Sequence, residues 1–247
     1  MNVKLLQTIM NLVITPDMRE AVNTPATSRG LNRSGEEKDL LDSFSPNQFS
    51  SKMNLVDHVN SLDFLTKESE IVIFGSWYGS ILIPAFYDKV KKITCIDKNK
   101  TMLNMAKYTL FKDLDVDWIS DDVFATFRDQ FKTTDLFINT SCENMKPMRD
   151  WGPIGPKSRY DEIYRKRFGI PQTYTDPWWD RVANREKPAY FAFQSHNIFD
   201  IHDSYNCVKT IEQFKTQLPD RAEVLIEDSM PFETGTRFTL IGKIWNE

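Results

Sequence analysis

The sequence predicts an α/β protein: a doubly wound, mostly parallel sheet of seven strands with one reversed strand. Three observations predict it. Short apolar runs alternate with helical text between residues 50 and 145. The first run, Ile71-Val72-Ile73-Phe74, enters Gly75 directly, as a strand buried on both faces enters a sharp turn. Two β-prone runs close the chain, and the segment between them can make them an antiparallel pair, one of them reversed. Repeated strand, turn and helix implies right-handed crossovers between parallel strands.

The elements follow in order. Val3 to Val13 recur at helical spacing, and Pro16 closes that helix. Residues 15–47 are polar and rich in turn formers, either a solvated linker or a loop that orders over a ligand. Residues 1–49 are therefore set apart from a domain over 50–247. Ser50 to Leu62 reads as a second helix, apolar at Leu55, Val56, Val59 and Leu62. After the turn Gly75-Ser76-Trp77-Tyr78-Gly79, a helix starts near Ile81, with Pro84 tolerable in its first turn. Lys92 to Asp97, Val116 to Ile119 and Asp135 to Asn139 are the next strands, with helices expected over 99–110 and 123–131. Residues 146–188 then interrupt the pattern with six prolines and three tryptophans, as an insertion over the active face or an irregular surface. Tyr190 to Ser195 resumes as the fifth strand, and a helix is expected over Cys207 to Leu218. Glu223 to Glu227 and Arg237 to Ile244 are the closing strands.

Composition excludes several classes. A net charge of −4 gives no general drive toward nucleic acid or anionic membrane. Cys95, Cys142 and Cys207 share no CxxC spacing, which fits a reducing cytoplasm better than a disulfide framework. Three histidines are too scattered for a zinc motif, and no metal site is expected. No stretch nears the ~18 apolar residues of a membrane span, and Met1 to Ile14 has no clear cleavage site for a signal peptide.

In a parallel sheet the carboxyl ends of the strands share one rim. That rim would gather Gly75, Ser76 and Gly79, then Asp97, then Asp121 and Asp122, then Asn139 with Ser141 and Glu143. Asp97 lies about twenty residues beyond the glycine turn, the spacing at which an acid reaches ribose hydroxyls. A carboxylate suits a diol because it accepts two hydrogen bonds.

This ordered set resembles the class I S-adenosylmethionine-dependent methyltransferases over roughly residues 50 to 145. The resemblance implies that Gly75 and Gly79 hold the methionine part of S-adenosylmethionine, Asp97 the ribose, and Asp122 or Asp121 the adenine side. It extends in outline to the reversed seventh strand. The middle glycine of the family's GxGxG is replaced by Trp77, whose side chain must point away from the cofactor or narrow its pocket. The fourth motif, Asn139-Thr140-Ser141-Cys142-Glu143, lacks both the NPPY-like and the Pro-Cys signatures. With Phe193 to Asn197 and His202 to Cys207 it is similar to methyltransferase-like proteins, many of them in tailed bacteriophages.

Glu143, His196 and His202 are the candidates for orienting or deprotonating a methyl acceptor, either a small molecule or a nucleotide or nucleic acid. Cys142 has no neighbouring base in sequence and reads as a buried structural thiol. Basic and aromatic residues of the insertion suit single-stranded nucleic acid or a lid packed on its own aromatics. Two other functions stay open: a non-catalytic structural or interaction module, for instance in a phage particle, and aminocarboxypropyl transfer from the same cofactor.

Overall fold

A computed structural model describes residues 39–40, 42–123, 129–151, 178–183, 185–199 and 204–245. The expected first helix, the 15–38 loop, most of the insertion and His202 lie outside these residues. Among the described residues seven strands form one sheet: β1 Glu70–Phe74, β2 Lys92–Asp97, β3 Asp117–Ser120, β4 Leu136–Asn139, β5 Ala189–His196, β6 Ala222–Phe232 and β7 Gly235–Ile244. Their spatial order is β3-β2-β1-β4-β5-β7-β6. β1 to β5 pair in parallel, and β7 runs antiparallel to both β5 and β6. The switch in strand order falls between β1 and β4, where open α/β sheets form their ligand crevice.

Alternation along the strands builds two cores, because successive side chains point to opposite faces. Ile71, Ile73 and Ile138 face helices α1 (Pro46–Ser61), α2 (Leu82–Phe86) and α3 (Lys100–Met105), in a core shared with Leu55, Val56, Leu82, Phe86 and Leu103. Val72, Phe74, Phe137, Phe191 and Phe193 face the other way, against α4 (Trp178–Ala183) and α5 (Ile211–Lys215). Burying one such aromatic contributes about 1.5–3 kcal/mol.

The described ends of the insertion belong to this second core. Trp151 and Trp179 are buried and stacked at 5.6 Å, and Trp179 meets Phe137 edge to face. Their indole N–H groups donate to the carbonyls of Lys146 and Met148, so neither ring buries an orphaned donor.

Some boundaries differ from the sequence expectation. α1 starts at Pro46, since proline suits a first turn that needs no N–H donor. The helix after β5 is confined to Ile211–Lys215, capped by Thr210 Oγ1 accepting from the Gln213 N–H. The text over 99–110 splits into α3 and a π-helical turn, Ala106–Leu110. β6 runs to Phe232 because the long hairpin with β7 keeps its backbone paired.

Candidate active site

Gly75 and Gly79 both take left-handed backbone, at φ 54° and 63°. Trp77 between them does the same at φ 52°, a conformation glycine adopts freely and a bulky residue only under strain. Asp97 holds it there: Oδ2 accepts the Trp77 N–H at 2.9 Å, while Oδ1 accepts the Asn99 N–H at 2.8 Å. The Ser76 N–H donates to the Ile96 carbonyl, and the Asp121 N–H to the Asp97 carbonyl. The turns after β1, β2 and β3 are thereby tied into one rim. Asp121 and Asp122 stand half-buried at its far end, Asp121 Oδ1 accepting from the Asp122 N–H. The Trp77 ring lies 5.5 Å from that of Tyr78 and beneath the Lys52 ammonium of α1.

The other side of the switch point is closed by the segment after β4. Asn139 is fully buried; its Oδ1 accepts the Ser141 N–H, and its Nδ2 donates to Met145 Sδ at 3.2 Å. The amide of Asn139 thus shapes its own loop. It also steers Met145, whose Cε lies 2.5 Å from where a Cβ on Gly75 would stand. A side chain at Gly75 would collide with Met145, which covers this turn.

Glu143 and His196 are brought together. His196 Nε2 stands 3.3 Å from Glu143 Oε1, and Arg237 Nη1 stands 3.4 Å from the same oxygen. His196 Nδ1 accepts the Ile198 N–H at 3.1 Å, so the ring proton of the neutral form sits on Nε2 and donates to Glu143. Arg237 reaches this end because β7 is reversed: His196 and Arg237 are partners in the β5–β7 register. Burial opposes the Glu143 charge, but Arg237 and His196 outweigh it and hold the carboxyl below the usual range. Glu143 Oε2 is buried with no hydrogen-bond partner among the described residues.

Sequence reading missed Lys52 and Arg237. Lys52 is buried on α1, donates to Gln48 Oε1 at 2.6 Å, and is pushed down to about 7 by burial and then by Arg237. A lysine among apolar helix positions was the available signal; its place over the Trp77 ring required the fold. Cys142 is a buried thiol, its pKa raised by burial and then by Glu143. Among the described residues no group of histidines, cysteines and carboxylates could hold a metal ion, and no helix is long and apolar enough to cross a membrane.

This strand order and rim define the fold of the class I S-adenosylmethionine-dependent methyltransferases. Solved structures with that fold include the N-methyltransferase NodS from Bradyrhizobium japonicum WM9, at 12% identity and TM-score 0.56, covering 83% of this chain and 99% of that one. The magnesium protoporphyrin IX methyltransferase ChlM from Synechocystis PCC 6803, solved with bound S-adenosylmethionine, aligns over 97% of both chains at 10% identity and TM-score 0.53. No family model and no curated protein sequence matches the chain.

Proposed function

We propose that the protein is an S-adenosylmethionine-dependent methyltransferase acting on a small-molecule, nucleotide or nucleic-acid acceptor. The observation that carries this reading is the Asp97–Trp77 hydrogen bond, which locks a left-handed turn at the end of β1 beside an acid on β2. Each Asp97 oxygen accepts one backbone N–H and keeps a lone pair for a ribose hydroxyl. Gly75, Ser76 and Gly79 then hold the methionine part, Asp121 and Asp122 the adenine side, and Asn139 shapes the wall through Met145. The bound cofactor supplies a methyl group already activated by a sulfonium. The chain's own work is to align the acceptor, exclude water and receive a proton. Glu143 and His196 orient the acceptor, and His202 completes the set. The neighbours crystallised with the cofactor or with S-adenosylhomocysteine support the same choice of ligand.

Free cysteines and the composition suit the cytoplasm, that of an infected host if a phage encodes the chain. Calorimetric titration with S-adenosylmethionine and S-adenosylhomocysteine tests the reading. Micromolar binding that Asp97→Ala weakens at least tenfold is expected; no binding of either ligand overturns it. Mass spectrometry of the spent cofactor separates the two transfers. S-adenosylhomocysteine marks methyl transfer, and methylthioadenosine marks aminocarboxypropyl transfer. Met145 over Gly75 favours a second reading, a non-catalytic interaction module, and an Asp97→Ala variant indistinguishable from the parent protein would select it.

A further inference from the structure

Among the described residues, Glu143 Oε2 is the one buried side-chain atom of a charged group that has no hydrogen-bond partner. The Glu143 side chain is 6% exposed, and its other oxygen is crowded: Arg237 Nη1 stands 3.4 Å and His196 Nε2 3.3 Å from Oε1. Arg237 Nη1 also donates to the Thr140 carbonyl at 3.3 Å, and the Glu143 carbonyl accepts the Asn206 N–H at 2.9 Å. The residue is thus fixed at its main chain and at Oε1, and Oε2 is its one open acceptor. Leaving a buried charged acceptor unpaired costs more than leaving a neutral one. This oxygen is therefore where an added donor contributes most.

Its place is the ligand crevice of the sheet. Glu143 follows β4 at the switch point, and two residues further on Met145 packs against the Gly75 turn. Ser141 and Met145 are half-buried and Asn144 is exposed, so the loop that carries the carboxylate lies at the surface of the rim. The carboxyl is ionised at neutral pH, so Oε2 accepts a hydrogen bond and donates none. Its charge is already matched by the Arg237 guanidinium, and His196 in its neutral form adds none. An anionic group here would meet the carboxylate, and a cationic one would meet Arg237.

We propose, resting on the cofactor reading above, that Glu143 Oε2 is a recognition point for the acceptor molecule, which presents to it a neutral N–H or O–H group: an amide, a ring N–H, an aromatic amine or a hydroxyl. Arg237 and His196 are positioning residues that act through Oε1. A molecule offering only a carboxylate or a phosphate at this point is rejected. The competing occupant is a buried water, which needs two to four polar partners of its own. An acceptor that fills the position supplies the missing hydrogen bond as it binds, and an analogue without the donor leaves Oε2 unpaired.

Pyrrole and furan test this without the acceptor being known. The two rings match in shape, and pyrrole carries an N–H where furan carries an oxygen. Each is titrated into the full chain saturated with S-adenosylhomocysteine. The Glu143 carboxyl carbon is followed by carbon-13 NMR, its resonance assigned by its loss in Glu143→Gln. Pyrrole should move the resonance saturably, furan should bind at least about tenfold more weakly, and acetate should not compete with pyrrole. Arg237→Gln should raise the pH at which the resonance titrates, and Arg237→Lys should bring it back, which an arginine that only braces the fold would not do. A resonance that pyrrole leaves unmoved, that furan moves as readily, or from which acetate displaces pyrrole overturns the assignment and leaves the cofactor reading intact. Failure of S-adenosylhomocysteine to bind by calorimetry removes the cofactor reading and the acceptor assignment with it. The comparison of the two rings is made in the parent protein, so no misfolded variant decides it.

Discussion

His196 and Arg237 stand opposite each other across β5 and β7, and both aim a donor at one oxygen of Glu143. The carboxylate is therefore buried with its charge compensated from one side only. Removing Arg237 strands it. Arg237→Met should lower stability by about 3–5 kcal/mol, as breaking a buried pair does. Glu143→Gln in the same chain should recover much of the loss. Urea unfolding of the two single variants and the double variant gives the coupling.

The same pair sets an acid limit. The folded state holds Glu143 below its ordinary value, so its contribution is fully present above the unfolded pKa of ~4.3 and is lost as pH falls through the lower folded value. Stability measured from pH 6 to pH 3 should fall more steeply in the parent protein than in Glu143→Gln.

Lys52 has the opposite sign. Its pKa near 7 in the folded state lies below the unfolded ~10.4, so the unfolded chain binds more protons between those values and stability rises with pH across them. Lys52→Met should be more stable than the parent protein by more than about 1 kcal/mol at pH 7 and below. That advantage should shrink as pH approaches 10. Denaturant midpoints at pH 6.5 and pH 9.5 check it.

Gly75 and Met145 form a separable pair. Gly75→Ala places a Cβ 2.5 Å from Met145 Cε on a backbone at φ 54°. Strain and crowding together should cost about 1–3 kcal/mol. Met145→Ala in the same chain should restore only the crowding share. Met145→Ala alone should keep or improve S-adenosylhomocysteine affinity, since it uncovers the turn.

Asp97→Asn preserves one amide oxygen for the Trp77 N–H but loses the charge and one acceptor. It should weaken S-adenosylhomocysteine binding less than Asp97→Ala does, with circular dichroism unchanged in both. Calorimetry ranks the three proteins.

The sheet was legible because its strands are short apolar runs with punctuated ends. Ile71 to Phe74 and Leu136 to Ile138 are buried on both faces, so they read the same from either side. The glycine turn and Asp97 were legible because spacing along one strand–turn–strand unit is local. Lys52 and Arg237 were not. Their roles depend on where α1 lies and on the direction of β7, which are properties of packing between distant segments. Asn139 is expected at the rim from its strand-end position; that its amide also holds Ser141 and Met145 was not legible, because periodicity does not encode the shape of that loop.

The backward run of β7 has a consequence for synthesis on the ribosome. Arg237 enters the cluster only when the β6–β7 hairpin closes, after the other described strands have emerged. Until then Glu143 lacks the Arg237 guanidinium, and a nascent polypeptide that already carries the glycine turn and Asp97 still lacks the finished Glu143 cluster. Closure of this hairpin is thus the step that completes the Glu143 cluster.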